Sequence, residues 1–439
     1  MAEPVASESR RVFANLGLLL GGKAGAGLMS LVYLFIVTRV LGAADYGVLV
    51  LVSGFVTLVA GIVAFSGWHG LARFGALALV EQDAERLLRL IRFMTLLELA
   101  CGLVAIVVAA LLAPVVGAHL GWPPQAIRFA VPYSLAVLAT VRSTPEGLLQ
   151  LAGRVDLISA HSLLSPVVRL VGSLIVWLSG GGLIGFLSVW LVSSIVEGAG
   201  MWLLGLVTLR RMALSASLRG SLAGTIPENP GLVRFIVTTN FDLTLRELAP
   251  RLGPLTVGWL LGPSAAGVMA LAQRATAILQ QPALLLGRAS YAVMARLAAS
   301  GNFAALQRTV WQSAATSLAA GVPVVALLCA FPTQVLQFIG GHSFTGGAGL
   351  MIFVALARLV DLPAPPFVAA LTAIGRPSRS IMVNIVAGFC LYPLLPILIG
   401  RFGLIGAGWH ALAQSIIGTA ILAWLFVYTP PQPTVYARP

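Results

Sequence analysis

The sequence predicts an all-α polytopic membrane protein of about twelve transmembrane helices, arranged as two pseudo-symmetric six-helix bundles. Of its 439 residues, 59% are hydrophobic and only 9% are charged, whereas a soluble globular chain is about a quarter charged. Twelve apolar stretches follow one another with short connections, and several short motifs recur half a chain apart. Because a spanning helix needs roughly 20 apolar residues, these observations exclude a water-soluble fold.

The apolar stretches define the predicted elements in chain order. They run over 14–38, 46–66, 93–117, 128–150, 155–178, 183–208, 234–261, 265–287, 310–338, 347–372, 379–399 and 403–428. A segment containing Ser, Gly and Pro separates the sixth stretch from the seventh, as is typical of a linker. The predicted domains are therefore a bundle over 1–209, a cytoplasmic linker over 210–232, a second bundle over 233–430 and a cytoplasmic tail over 431–439.

Arginines concentrate in alternate connections, which predicts the orientation in the membrane. One side carries Arg10, Arg11, Arg73, Arg86, Arg89, Arg92, Arg154, Arg210, Arg211, Arg219, Arg234, Arg288, Arg296, Arg308, Arg376, Arg379 and Arg438. The other side carries only Arg39, Arg128 and Arg401, each at a helix edge. The positive-inside rule therefore places both termini in the cytoplasm of a bacterium, with the chain in the inner membrane.

The net charge of +13 does not indicate nucleic acid, because the arginines are spread along the ends of apolar stretches. Cys101, Cys329 and Cys390 all lie within apolar stretches, without the spacing of metal ligands. No glycine-rich phosphate loop and no nucleophile motif is present in the sequence. We therefore predict no cofactor, no metal site, no catalytic residue and no nucleic-acid partner.

Three sets of motifs recur at nearly the same offset. Gly42 recurs as Gly262 (262 − 42 = 220), Gly153 as Gly375 (375 − 153 = 222), and the stretch 182–185 as 403–406 (403 − 182 = 221). Each repeated unit holds six spans, an even number, so both copies have the same orientation. Two such bundles related by an axis along the membrane normal are the architecture of an alternating-access transporter.

Charged residues inside the predicted spans are the candidate functional residues, because a charge at the bilayer centre costs roughly 2.5–3.5 kcal/mol. They are Lys23, Glu98, Arg142, Glu146, Arg169, Glu197, Asp242, Arg246, Glu247, Arg251, Arg274, Arg358 and Asp361. Several follow each other at i, i+3 or i, i+4 and could simply neutralise one another, an alternative that the sequence leaves open. Prolines near the charges in the seventh and tenth spans predict kinks or breaks there.

Lys23, Arg169 and Arg274 have no opposite charge within helical reach, which predicts that they face an aqueous cavity shared by the two bundles. The alternative that the sequence leaves open is that acidic partners on other helices neutralise them. Arg246 and Arg358 complete this predicted cationic site. A guanidinium matches phosphate oxygens, so the predicted cargo carries a phosphate or diphosphate.

The carboxylates of the same spans suggest a second role. Asp242, Glu247 and Asp361 could bind a proton or a sodium ion and couple its movement to transport.

The first hairpin resembles that of the polysaccharide flippases of the multidrug/oligosaccharidyl-lipid/polysaccharide exporter superfamily. Asn15 and Gly22 lie in a first helix that ends Thr38-Arg39-Val40-Leu41-Gly42, and Asp45-Tyr46-Gly47 opens the second. The resemblance implies a MATE-like fold and export of an undecaprenyl-diphosphate-linked oligosaccharide for O-antigen, lipopolysaccharide, capsule or exopolysaccharide synthesis. It also implies a polysaccharide polymerase, other assembly proteins and membrane lipids as partners. Ala272-Gln273-Arg274 looks like the corresponding helix of lipid II flippases, where an arginine lines the central cavity.

Three alternative functions compete with this hypothesis. A multidrug or cation antiporter of the same superfamily should have an acidic rather than a basic cavity. A lipid II flippase carries two further helices that this chain lacks. A membrane-embedded sugar polymerase or ligase needs a sizeable periplasmic loop, whereas the predicted outer loops are short and nearly uncharged, so we predict a transporter and not an enzyme.

Overall fold

The computed structural model describes the backbone of residues 3–212, 220–277 and 279–428. Side chains are described for residues 25–212, 220–277 and 279–428, except at 246, 247, 249, 285, 288, 289 and 384. Over these residues every regular element is a helix. The first helices are α1 Glu3–Val63, α2 Trp68–Val80, α3 Ala84–His119, α4 Pro124–Tyr133, α5 Ser143–Leu151, α6 Val155–His161, α7 Leu164–Leu178, α8 Leu183–Arg211 and α9 Thr225–Glu228. They continue as α10 Leu232–Leu261, α11 Pro263–Ala277, α12 Gln280–Ala299, α13 Phe303–Ala330, α14 Pro332–Gly340, α15 Ala348–Asp361, α16 Ala364–Ala373, α17 Pro377–Cys390, α18 Leu394–Phe402 and α19 Leu404–Tyr428.

The chain divides into two compact units. The N-terminal unit comprises Met1–Leu41 and Val48–Leu248, and the C-terminal unit comprises Gly42–Gly47 and Ala249–Pro439. The division after Leu248 falls inside α10, on the C-terminal side of the linker predicted over 210–232. The domain boundaries given above remain a prediction. Each unit has its own apolar core. One core surrounds Leu71, Leu90 and Met94, and the other surrounds Met294, Val310 and Phe367.

Among the described residues, seven helical segments are long and apolar enough to cross a membrane, and α17 with α18 forms an eighth that is bent by 44°. The all-α membrane fold is thereby confirmed. Other predicted spans are joined or interrupted. The first two merge into α1 across a kink at Gly42, whose φ of 68° requires the left-handed region, and 128–150 is divided into α4, a 3₁₀ turn over Ser134–Ala139 and α5.

Prolines interrupt one of the two predicted spans. The tenth span breaks after Asp361, where α15 ends and α16 begins with prolines at its first turn. In the seventh span, by contrast, α10 continues as one helix through Pro250 and Pro254.

The internal repeat extends beyond the motifs found in the sequence. Asp83 caps α3 by accepting from the Arg86 N–H at 2.9 Å, and Asn302 caps α13 by accepting from the Ala305 N–H at 3.1 Å. These caps are offset by 302 − 83 = 219 residues. A chain reversal at Gly121 (φ 70°) recurs at Gly341 (φ 89°), an offset of 341 − 121 = 220.

Two glycines of the repeat pack against each other's helices. A Cβ at Gly47 would lie 1.7 Å from the carbonyl oxygen of Pro263, and one at Gly267 would lie 2.3 Å from that of Ala43. Both backbones approach so closely that no side chain fits. Gly47-Val48 and Gly267-Val268 are a further recurrence of the repeat (267 − 47 = 220), and close helix packing explains why both positions are glycine.

Candidate functional site

A cavity of about 810 Å³ lies inside the C-terminal unit, between α10, α11, α12, α15, α16, α17 and α19. The break between α15 and α16 lies at this cavity, since residues on both sides of it, Asp361 and Ala364, belong to the lining. The Thr419 hydroxyl on α19 donates to the carbonyl oxygen of Val360 at 3.1 Å, so one of the carbonyls left free at the end of α15 is satisfied.

Arg358 and Asp361 both line this cavity from the last turn of α15. They follow each other at i, i+3, yet no ion pair joins them among the described side chains. The Ser415 hydroxyl on α19 lies beside the Asp361 carboxylate, in position to donate a hydrogen bond. Arg358 and Asp361 attract each other electrostatically without direct contact, so the guanidinium N–H groups are not hydrogen-bonded to this carboxylate and can donate to an anionic ligand.

Uncharged polar side chains complete the lining. Gln273, Gln280 and Gln414 offer amide donors and acceptors, and Tyr291 and Thr372 offer hydroxyls. Apart from Gln273, which belongs to the motif that contains Arg274, these residues were not predicted, because neutral side chains carry no charge signal. Isolated glutamines within apolar stretches are the pattern that could have indicated them.

In the N-terminal unit, Arg169 lies half-buried between α7 and α8. Its Nε donates to the Ser193 hydroxyl at 3.2 Å, and its guanidinium carbon lies 5.0 Å from the centre of the Trp190 ring. Trp190 in turn packs edge-on against Tyr33, with ring centres 5.5 Å apart. Arg169 is therefore held by a hydroxyl and an aromatic face, and it has no acidic partner among the described residues.

Arg142 is neutralised, but not by the carboxylate that helical spacing suggested. It pairs with Glu197 on α8 at 2.5 Å, and the backbone carbonyl of Glu197 contacts Nε2 of His161 at 2.8 Å. Glu146 is four residues from Arg142, but Arg142 is the non-helical residue preceding α5, with φ −151°. The i, i+4 geometry therefore does not apply across this helix start.

Glu98 on α3 is fully buried and accepts hydrogen bonds at the start of α5. The sequence showed an acid within a span, but it could not show that its partners are backbone N–H groups.

The other predicted site residues are dispersed. Arg274 lies at the last turn of α11 and is exposed, outside the lining of the described cavity. Asp242 and Arg251 are half-buried on α10 and each interacts with a neighbouring group. The side chains of Lys23, Arg246 and Glu247 lie outside the described residues. Within the described part of the chain, no three His, Cys, Asp or Glu side chains are grouped to hold a metal ion.

The chain is similar to a family model and to a curated protein over part of its length. Residues 253–397 match the MatE family model. A relative, the inner membrane protein YghQ of Escherichia coli (strain K12), is 27% identical over 288 residues, which cover 66% of this chain and 81% of the relative.

Solved structures share the fold over nearly the whole chain. An inward-facing multidrug resistance MATE family transporter of the MOP superfamily has a TM-score of 0.72 at 15% identity, covering 92% of this chain and 96% of that one. The lipid II flippase MurJ in an inward closed conformation has a TM-score of 0.71 at 14% identity, covering 93% and 87%. The predicted MATE-like fold is therefore confirmed.

Proposed function

We propose that this chain is a flippase of the bacterial inner membrane that moves an undecaprenyl-diphosphate-linked oligosaccharide from the cytoplasmic to the periplasmic leaflet. The cargo serves O-antigen, capsule or exopolysaccharide synthesis, and both chain termini lie in the cytoplasm. Alternating access follows from the two repeated bundles of a MATE-like transporter fold. The fold shared with a lipid flippase and the similarity to an inner membrane protein support this proposal.

The observation that carries the proposal is the Arg358 guanidinium in the cavity of the C-terminal unit. A charged arginine in a membrane-spanning segment is costly even where a carboxylate lies nearby, as Asp361 does here, which is why such residues are usually functional. The planar guanidinium can donate two parallel hydrogen bonds to phosphate oxygens. We assign Arg358 to the diphosphate of the cargo.

The neutral polar lining suits the sugar. Gln273, Gln280 and Gln414 can each donate to and accept from sugar hydroxyls, and a volume of 810 Å³ is within the usual range of about 300–1,000 Å³ for ligand pockets. The polyprenyl tail stays in the lipid. Lys23, Arg169, Arg246 and Arg274 belong to the proposal as further cationic contacts during transport, and Asp242, Glu247 and Asp361 as carboxylates that bind the coupling proton or sodium ion.

The proposal is tested by Arg358→Ala, with Arg401→Ala as the matched control. Arg401 lies on the last turn of α18 in the same unit, is exposed and does not line the cavity. We expect Arg358→Ala to lower the initial flipping rate of a diphosphate-linked oligosaccharide in proteoliposomes by about 10- to 100-fold, the value of a charge-assisted hydrogen bond pair. Arg358→Lys should retain part of the rate, and the control should match the wild type. Wild-type flipping by Arg358→Ala, at equal protein content, would contradict the proposal.

Asp361 favours one second candidate, an antiporter of organic cations, because its carboxylate faces the same cavity. The MATE structure described above is a multidrug resistance transporter. In this case the wild type should export an organic cation such as ethidium, and Asp361→Asn should abolish that export while flipping of lipid-linked sugar is absent in both. Flipping of lipid-linked sugar without ethidium export would favour the flippase over the cation antiporter.

A further inference from the structure

Glu98 lies midway along α3 and has no part in the proposed cargo site. Its side chain is fully buried. Oε1 accepts from the Ser143 N–H at 2.5 Å and from the Ser143 hydroxyl at 2.7 Å, and Oε2 accepts from the Thr144 N–H at 2.8 Å. These N–H groups belong to the first turn of α5, where the helix itself supplies no acceptor. A carboxylate from one helix therefore caps the start of another.

The cap is joined to a second helix break. The Gly67 N–H donates to the Ser143 hydroxyl at 3.0 Å, in the interruption between α1 and α2. The preceding residue, Ser66, donates its N–H to the side-chain oxygen of Asn240 at 2.7 Å and accepts from the Asn240 amide at 3.1 Å. One network of hydrogen bonds thus links α3, two interrupted spans and α10 within the N-terminal unit.

Two hydroxyls beside this network have no hydrogen-bond partner among the described residues. They belong to Thr95, one turn before Glu98, and to Thr144, both of which are at least 97% buried. The Thr144 hydroxyl lies next to the Glu98 carboxylate. It meets no full hydrogen-bond geometry, although it is close enough to interact as a donor with the ionised carboxylate. A hydroxyl can rotate and accept instead, which is what a protonated carboxyl group needs.

Other ionisable groups on the surrounding elements do not pair with Glu98. Cys101 is one turn along α3, His69 stacks on Trp68 in α2, and Glu146 on α5 forms no ion pair among the described side chains. Arg142, which precedes α5, pairs with Glu197 on α8. The bonding partners of Glu98 are Ser143 and Thr144, so the charge of Glu98 is held by the start of α5.

We propose that Glu98 is a proton-binding site that controls the start of α5. In the ionised form the carboxylate accepts all three hydrogen bonds and holds the first turn. When a proton binds to Oε2, the new O–H donor opposes the Thr144 N–H and turns to the Thr144 hydroxyl. The Thr144 N–H then loses its acceptor, whereas Ser143 keeps its bonds to Oε1, so the first turn of α5, next to Arg142, is loosened.

Amide hydrogen exchange of the full-length protein in nanodiscs tests this switch without any cargo. A peptide that begins at residue 140 and ends at residue 147 reports on the amides of Ser143 and Thr144 together with those of Glu146 and Gly147, since Pro145 has none. After correction for intrinsic exchange rates, we expect its protection to fall at least about tenfold as the pH is lowered from about 9 to 5. Protection that is constant over this range overturns the proposal.

Three variants identify the responsible group. Glu98→Gln imitates the neutral form, so its exchange should be fast and independent of pH, while Glu98→Asp should retain a pH response with weaker protection. Glu146→Gln is the matched control, the same chemical change two residues beyond Thr144, and should behave as the wild type. A pH response that persists in Glu98→Gln, or that disappears in Glu146→Gln, overturns the assignment even where flipping is normal. Solubility and exchange elsewhere in α3 report whether each variant is folded.

Discussion

The fourth span of each repeat, predicted over 128–150 and over 347–372, is interrupted. The backbone N–H groups at the two interruptions are accommodated in different ways. In the N-terminal unit α5 begins Ser143-Thr144-Pro145, and its two free N–H groups donate to Glu98. In the C-terminal unit α16 begins Ala364-Pro365-Pro366, so two of its first three residues have no N–H to satisfy. Pro145 and Pro366 are equivalent, with an offset of 366 − 145 = 221.

The difference shows how a repeated fold can give its halves separate roles. At the offset of the helix caps, the position equivalent to Glu98 is Ser317 (317 − 98 = 219), whose hydroxyl is buried without a partner. Because prolines replace the N–H groups, the C-terminal break needs no carboxylate, and Asp361 lines a cavity instead. A carboxylate cap can respond to a proton, whereas a proline cap cannot.

The largest effect should come from removing the carboxylate cap. Glu98→Ala leaves the Ser143 and Thr144 N–H groups buried without an acceptor, and we expect a loss of about 2–5 kcal/mol in the free energy of unfolding. The measurement is thermal or denaturant unfolding of the purified protein in detergent. Ser317→Ala is the control at the equivalent position, where no hydrogen bond is lost and a change within about 0.5 kcal/mol is expected. Equal losses in the free energy of unfolding in the two variants would mean that the Glu98 carboxylate is not what distinguishes the two helix breaks.

An intermediate effect should follow from filling the close contact of the repeated glycines. In Gly47→Ala and Gly267→Ala the new Cβ meets a backbone carbonyl oxygen, which cannot rotate away. We expect each variant to lose about 1–3 kcal/mol, as overpacking does elsewhere. Gly400→Ala is the control, since a Cβ there meets nothing within 4 Å. Unfolding midpoints that match the wild type in both repeat variants would show that the helices do not pack this closely.

The smallest effect should come from restoring an N–H to the proline-capped break. Pro365→Ala adds a donor at the start of α16 and frees the unfolded chain, so a loss of about 1 kcal/mol is expected. The same unfolding assay measures it. A loss as large as that of Glu98→Ala would contradict the view that the prolines only remove a need for hydrogen bonding.

Much of the architecture could be predicted because its cause is local. Apolar stretches predict the spans, and matching glycines predict the repeat. The prolines after Asp361 predict the end of α15. The partners of the charges could not be predicted in this way. Arg142 pairs with Glu197, 55 residues away, because the chain breaks just where helical spacing would have linked it to Glu146. The cavity is also lined by neutral polar side chains such as Gln280 and Tyr291, which a search for charged residues in the spans does not identify.

By itself the sequence determined that the chain is a helical membrane protein made of two related halves, because hydropathy and repetition act along the chain. Only the tertiary structure decided which intramembrane charges are satisfied and which face a cavity. Glu98 and Asp361 are both carboxylates within apolar stretches of the sequence, yet one caps a neighbouring helix and the other lines a cavity. The physical reason is that the energy of a buried charge depends on the donors and acceptors around it in space, which distant parts of the chain supply.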